Sequence, residues 1–258
     1  MDEAAAAGTP DDLKAWRKAQ RTALLEKRAA LPEATHRAWS EAIAGHLEAA
    51  FDLLGGLAIG FYWPHQGEFD ARFALRRWRE RGALAALPVV VRFGAPLEFR
   101  AWWPGAPMRR GVYDIPFPDA TPLVHPQAVL MPPVGFDAGG FRMGYGAGFF
   151  DRTLAALVPQ PLKIGVAFEL SRMPTIHPQA HDVPMDFIVT EAGIFANGAG
   201  GLRQVGADAA ATLAARIVAE RRLDAVGNDA ARAAAGTPTR RASPTCLLDD
   251  LDEDGRVS

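Results

Sequence analysis

The stretch AVLMPPVGFDAGGFRMGYGAGFFDRTLAAL, residues 128–157, decides how the chain is read. Its first four residues, Ala128 to Met131, form an apolar run of strand length that Pro132-Pro133 ends. A loop follows with Asp137, paired glycines and Arg142, and then glycines at 144, 146 and 148. Beyond them Phe150, Leu154 and Leu157 share one face at helical spacing. The glycines therefore sit where a loop enters a helix. Unpaired backbone N–H groups and the positive end of the helix dipole make such a place an anion site. Missing side chains let a phosphate approach the main chain. Arg142 stands beside the turn as a permanent cation, and Asp151 occupies the first helical turn, placed to hold a metal ion.

Two familiar phosphate motifs are excluded. No Lys-Ser/Thr pair follows the last glycine, so this is not a Walker loop. The Gly-x-Gly-x-Gly spacing, with a loop between strand and helix, is not the dinucleotide fingerprint. Taken alone, the turn fits a plain loop as well as a phosphate cradle.

At 258 residues the chain has room for one large or two small domains, and 49 % apolar residues suffice for a sizeable core. A formal net charge of −2 gives no global reason to expect nucleic acid as a partner. The single cysteine, Cys246, excludes an internal disulfide framework and points to an intracellular compartment. The acidic start, MDEAAAAGTP, is unlike a secretory signal, and no apolar run approaches a membrane span. The expectation is a soluble cytoplasmic protein that engages neither nucleic acid nor membrane.

In chain order, residues 1–10 read as an unstructured leader. Asp11 to Leu31 reads as a helix capped by Asp11 or Asp12, with Lys14, Arg17, Arg21 and Arg28 on one narrow stripe. That stripe is either a solvated basic face or a set of cations aimed at phosphates. Pro32 to Phe51 reads as a packing helix and Leu57 to Trp63 as a strand. Asp70 can cap a helix over Ala71 to Arg81, and Leu84 to Val91 follows as a strand whose second half Pro88 sends to an edge or a bend. Strand, loop, helix and strand in this order indicate a parallel crossover, and ligands in such sheets bind at the carboxyl ends of the strands. Glu68 lies just past one of these ends. Leu97 to Trp103 and Met108 to Ile115 read as a hairpin around Pro104-Gly105. Lys163 to Phe168 and Phe187 to Thr190 read as two further buried strands. Between them, His177 and His181 have a metal-pair spacing, but Pro178 argues against a helix there and no third ligand is evident. Gly198 to Gly201 reads as a linker, Asp208 to Arg222 as an alanine-rich helix, and Gly227 to Ser258 as disordered.

The string GFDAGGFRMGYGAGFFDR, residues 135–152, closely resembles the signature of the 5-formyltetrahydrofolate cyclo-ligase (5,10-methenyltetrahydrofolate synthetase) family. That signature commonly reads Phe-Asp-x-x-Gly-x-Arg-Leu-Gly-x-Gly-x-Gly-Tyr-Tyr-Asp. FYWPHQGEFD, residues 61–70, is similar to the family's Tyr-x-Pro-x-x-x-Glu-Val-Asp, and Tyr113 to Pro116 to its aromatic-x-Ile-Pro. The resemblance covers roughly Leu13 to Phe195. It implies ATP- and magnesium-dependent closure of 5-formyltetrahydrofolate to 5,10-methenyltetrahydrofolate, with phosphorylation of the formyl oxygen and release of ADP and phosphate.

By the same resemblance, Arg142, Gly144, Tyr145, Gly146, Ala147, Gly148, Phe149 and Phe150 bind ATP. A basic pair on the first helix joins them, in the register Arg17 and Arg21 or in the register Lys14 and Arg17. Trp63, Glu68, Tyr113, Tyr145 and Phe149 contact the folate. Asp151 and Asp182 hold magnesium, and Arg142 and Asp151 are the catalytic candidates. From the residues alone, Glu68 is an ordinary loop glutamate, Tyr113 equally a core aromatic, and Asp182 a turn acid. Two departures stand out. Ala147 occupies a position where many members have lysine, and Phe149 and Phe150 replace tyrosines. The expected fold is a single three-layer α/β/α domain with a mostly parallel sheet over residues 11–196, followed by a linker, a short helix and a disordered tail over 197–258. Alternatives are a folate- or nucleotide-binding protein without turnover, and an unrelated phosphate-binding enzyme on a similar scaffold.

Overall fold

Asp12 caps the first helix: its carboxylate accepts from the Ala15 amide at 2.9 Å, and α1 runs Leu13–Ala29. The computed structural model describes residues 12–234; the leader over 1–10 and the tail after 234 lie outside the described residues. Pro32 opens α2, Glu33–Ala50, whose buried Ile43, Leu47 and Ala50 keep helical spacing. β1 is Ala58–Gly60. Asp70 then accepts from the Arg72 amide at 3.0 Å where α3, Arg72–Glu80, begins. β2, Leu84–Val89, pairs in parallel with β1 only through Ala86. Pro88 therefore sits where β1 no longer needs an N–H from its neighbour, which is how a proline fits this strand.

The remaining elements follow the chain. β3 is Glu98–Ala101, β4 Met108–Arg110, β5 Pro116–Pro118 and β6 Ala128–Met131. β7, Gly135–Phe136, and β8, Arg142–Met143, form a small hairpin ahead of α4, Phe149–Ala156. β9 is Leu162–Val166, β10 Phe187–Thr190, β11 Gly193–Gly198, β12 Gly201–Val205 and α5 Ala207–Ala234.

Eight strands make the main sheet in the order β12-β11-β10-β9-β6-β1-β2-β3. The run from β10 to β2 is parallel, and the strands flanking it are antiparallel. Alternate residues of β6 enter different cores. Ala128 and Leu130 pack with α2, α3 and α5, whereas Val129 and Met131 pack with Leu154 of α4. A parallel sheet needs cover on both faces, and these helices provide it. The result is a three-layer α/β/α architecture with a mostly parallel sheet. α1 belongs to neither main core: Leu24 packs with Val134, Met143, Met173 and Ile176 beyond the carboxyl end of the sheet.

Three expectations are corrected. β3 and β4 are not partners; β3 pairs with β2 and β4 with β5, because the chain between Ala101 and Met108 turns away from the sheet edge. The segment Gly198 to Gly201 is not a linker but the tight turn joining β11 to β12. Gly201 has φ +83°, and a Cβ there would lie 2.4 Å from the Ala138 carbonyl oxygen, so only glycine fits. The following helix also docks, with Ala210, Ala214 and Val218 buried in the α2–α3 core, and it runs on past Arg222 to Ala234, so residues 227–234 are helical and not disordered as expected. Arg221 donates to both carboxylate oxygens of Asp186 at 2.8 Å, and Lys163 lies 3.6 Å from the same group. A chain ending at Gly206 should therefore lose at least about 3 kcal/mol in urea unfolding, from the apolar burial lost and the carboxylate left short of a partner. Unchanged stability would show that α5 only rests on the core.

Candidate active site

The strand order reverses at β1. The chain leaves β1 for β2 on one side and later returns to pair β6 on the other, so the loops after β1 and β6 diverge from a common crevice. A cleft of about 940 Å³ opens there. Lys14, Arg17 and Arg21 of α1 line it, as do Trp63 and Glu68 after β1, Tyr113, Arg142, the loop from Gly144 to Gly148, Phe149, Phe150, Asp151 and Asp182.

The glycine loop is shaped by two residues in left-handed conformation, Gly146 at φ +102° and Gly148 at φ +64°. Gly148 is the N-cap of α4 and brings no side-chain cap, so the first N–H groups of the helix keep no side-chain partner. A Cβ at Gly146 would stand 3.2 Å from the Arg21 guanidinium carbon, so the arginine lies directly against the turn. Arg152 braces the loop from behind by donating to the Ala147 carbonyl. Asp137 has a structural task. Its carboxylate accepts from the amides of Gly139, Phe141 and Ile176 at 3.0 to 3.1 Å and holds the β7–β8 turn in place.

Charge at this end is paired, with two gaps. Arg142 lies 3.0 Å from Asp151 and donates to the Val183 carbonyl at 3.0 Å. Its Nη2 approaches Asp151 off the N–H axis and keeps no hydrogen-bond partner, and neither does Nε of Arg21. Burial lowers the Arg142 pKa, opposed by Asp151; burial and then the Arg17 charge lower that of Arg21. Arg17 is engaged more fully. It donates to Asp182 at 2.7 Å and to the carbonyls of Ile176 and His177 at 3.1 and 2.8 Å, clamping α1 to the segment before β10. Asp151 also accepts from the Val183 amide at 3.2 Å, which sets the two acids on adjoining stretches of the cleft wall.

The other end is aromatic around one carboxylate. Glu68 is buried, not an exposed loop residue, and accepts from the Tyr145 hydroxyl at 2.6 Å and the His65 amide at 2.9 Å. Burial lifts its carboxyl pKa to about 7, against the pull of Tyr145, Arg28 and the His65 amide. Burial, then the Glu68 charge, raises the Tyr145 phenol far above its ordinary value. Trp63 lies under the Arg72 guanidinium, 4.4 Å from the ring centre. Tyr113 is 61 % exposed in a short turn at the lip, which removes the core-filling alternative for it. Phe149 faces the exposed Phe93, ring centres 6.0 Å apart.

Sequence reasoning passed over Arg28, which is buried beside Glu68 and donates to the Tyr145 hydroxyl. Its place on the stripe of Lys14, Arg17 and Arg21 was the available signal; periodicity gives a face but not a depth. Phe93 gave no signal beyond being an aromatic in a loop.

A sequence model of the 5-formyltetrahydrofolate cyclo-ligase family matches residues 13–191. The 5-formyltetrahydrofolate cyclo-ligase of Mycolicibacterium smegmatis is 31% identical over 178 residues, covering 66% of this chain and 91% of the relative. That of Escherichia coli K12 is 27% identical over 146 residues, covering 53% and 79%. Among solved structures, Aquifex aeolicus 5,10-methenyltetrahydrofolate synthetase aligns with a TM-score of 0.61 at 25% identity, over 74% of this chain and 96% of its own. The synthetase from Mycoplasma pneumoniae shares the fold, with a TM-score of 0.57 at 23% identity over 68% and 98%. The matched span begins at the first residue of α1 and passes through every segment that lines the cleft, and the chain belongs to the 5-formyltetrahydrofolate cyclo-ligase family.

Proposed function

We propose that the chain catalyses ATP- and magnesium-dependent cyclisation of 5-formyltetrahydrofolate to 5,10-methenyltetrahydrofolate, releasing ADP and phosphate. The observation that carries this reading is the joining of two unlike ends in one cleft: a cation-lined glycine loop and a buried carboxylate that accepts from a tyrosine. A formamide oxygen is a poor leaving group. Transfer of the γ-phosphoryl group to it makes a good one, after which the neighbouring nitrogen attacks the formyl carbon and phosphate departs with that oxygen.

The chain's own part is positioning and charge compensation. The amides of Gly144 to Gly148 and the start of α4 receive the phosphates. Arg21 and Arg142, each with an unpartnered buried N–H, supply cation donors there. The partners already held by Arg17 leave Arg21 and the exposed Lys14 the freer cations of α1. Among the described residues no cluster of three His, Cys, Asp or Glu side chains exists to hold a resident ion. Asp151 and Asp182 suit a magnesium ion that arrives with phosphate and water ligands and takes one or two carboxylates. When bound, such an ion screens the charge on the transferring phosphoryl group. At the other end Glu68 accepts from N–H groups of the pterin, and Trp63, Tyr113, Tyr145 and Phe149 give it flat apolar contact. No helix of the described residues is long and apolar enough to cross a membrane.

Ala147, Phe149 and Phe150 favour one alternative, binding without turnover, since a phosphate-facing lysine and two hydroxyls are missing. Mixing the protein with magnesium-ATP and 5-formyltetrahydrofolate separates the two: the methenyl chromophore should appear only with ATP and a divalent cation. Folded protein that binds both ligands and forms no product would establish the alternative.

Two further outcomes follow from the geometry. Asp151→Asn should lower the rate at saturating ATP at least about a hundredfold, or about 2.7 kcal/mol in the barrier, with part recovered by added magnesium. It should also cost about 3 kcal/mol of stability, because buried Arg142 loses its anionic partner. A near-parental rate would move the metal site to Asp182. With the Glu68 carboxyl at about 7, kcat/KM for the folate should rise through that pH as the acceptor ionises. Stability at this group should fall over the same approach, from about 4.5 to about 7, because the native state holds a proton that the unfolded state has released. Glu68→Gln should remove both slopes in kinetic and urea titrations; a parental kinetic limb in that variant would assign it to another group.

A further inference from the structure

Arg28 is the one buried basic residue of the α1 stripe. Its side chain is 4 % exposed and that of Glu68 3 %. The guanidinium makes two hydrogen bonds to different elements: Nε to the Gln66 carbonyl at 2.9 Å, and Nη2 to the Tyr145 hydroxyl at 2.8 Å. It stops 3.9 Å short of Glu68 Oε1, to which the Tyr145 hydroxyl lies at 2.6 Å.

Direction follows from chemistry. Arginine has donors only, so the Tyr145 oxygen must accept from Arg28, and the single phenolic proton is left for Glu68. One Glu68 oxygen is thereby held by Tyr145 and the other by the His65 amide. The same guanidinium secures the turn after β1, where Gln66 and Gly67 both take left-handed backbone, φ 49° and 74°. Glu68, Tyr145 and Arg28 come from the β1 loop, the glycine loop and α1, so one cation ties together the three elements that enclose the substrate end.

We infer that Arg28 is a positioning residue for the cyclisation: through Tyr145 it orients the Glu68 carboxylate as a hydrogen-bond acceptor for a heterocycle bearing N–H donors. This rests on the folate reading of the cleft. A brace that merely holds α1 to the β1 loop would affect stability and would leave the substrate end with its affinity and pH response intact. The charged and titratable groups facing Glu68 are Arg28 from α1, Tyr145 from the glycine loop and Tyr62 after β1, with the His65 backbone amide beside them; Asp70 acts on Tyr62, and His36 of α2 meets the Gly67 carbonyl. Of these, Arg28 is the cation that pulls the Glu68 carboxyl down, so its removal moves that carboxyl upward.

The test compares Arg28→Met and Arg28→Lys with the parent, each confirmed as folded by thermal melting, with 5-formyltetrahydrofolate and magnesium-ATP as probes. Arg28→Met should raise KM for the folate at least about tenfold while KM for ATP stays within about twofold, since the lost hydrogen bonds serve one end of the cleft. Its acid limb in kcat/KM should move to higher pH. Arg28→Lys keeps the charge but cannot reach both partners, so its limb should stay near the parent's while its folate KM lies between the other two. Parental folate KM and limb in folded Arg28→Met would overturn the inference, as would an equal rise in both KM values. If Arg28→Met does not fold, Tyr145→Phe decides. With the relay cut, Arg28→Lys added to that variant should change folate KM little, and a full additive loss would overturn the inference. A parent that forms no methenyl product overturns the folate reading; a working parent with an unaffected Arg28→Met overturns only the role of Arg28.

Discussion

Five parallel strands whose order reverses at β1 are the constraint on which the structure depends. A parallel sheet must be covered on both faces, so α2, α3 and α5 take one and α4 the other. Its only uncovered region of consequence is the carboxyl edge, where the loops after β1 and β6 part. Most of the cleft's polar side chains lie on those two loops and on α1 laid across them, with Tyr113 from the turn before β5 and Asp182 from the segment before β10. The sheet itself contributes little beyond Pro88 near the end of β2 and Met131, the last residue of β6.

Bringing so many charges to one edge is costly unless each is answered. The structure answers most of them internally: Arg17 with Asp182, Arg142 in charge but not in every N–H with Asp151, and Arg28 with Tyr145 and the Gln66 carbonyl. The exceptions are informative. The unpartnered N–H groups of Arg21 and Arg142 flank the glycine turn, where an anion would meet them. Among the described residues, the one carboxyl whose pKa is raised by burial, Glu68, lies at the opposite end among aromatic rings. On the proposed reading, the difference in chemistry suits phosphate oxygens at one end and N–H donors at the other.

Much of this was legible in the residues. The run Ala128 to Met131 and its stop at Pro132 appear as β6, and the glycine turn does open a helix at Phe149. What escaped was set by contacts between distant segments. Asp208 to Arg222 looks weakly amphipathic because its buried face is mostly alanine, yet Arg221 finds Asp186. The hairpin expected between β3 and β4 rested on turn residues at Pro104 and Gly105, while the partner of β3 was chosen by the sheet edge at β2. Depth was the other hidden quantity. Arg28 and Arg21 share a stripe, but only Arg28 lies beneath Tyr145, and nothing in a helical period distinguishes them.

The account stands on phosphoryl transfer to the formyl oxygen within this cleft, and following that oxygen tests it most directly. 5-Formyltetrahydrofolate labelled with heavy oxygen in the formyl group, turned over once with magnesium-ATP, should give inorganic phosphate carrying the label and an unlabelled methenyl product. Unlabelled phosphate, with the heavy oxygen recovered in water, would contradict the account, because the formyl oxygen would then have left without ever being joined to phosphorus.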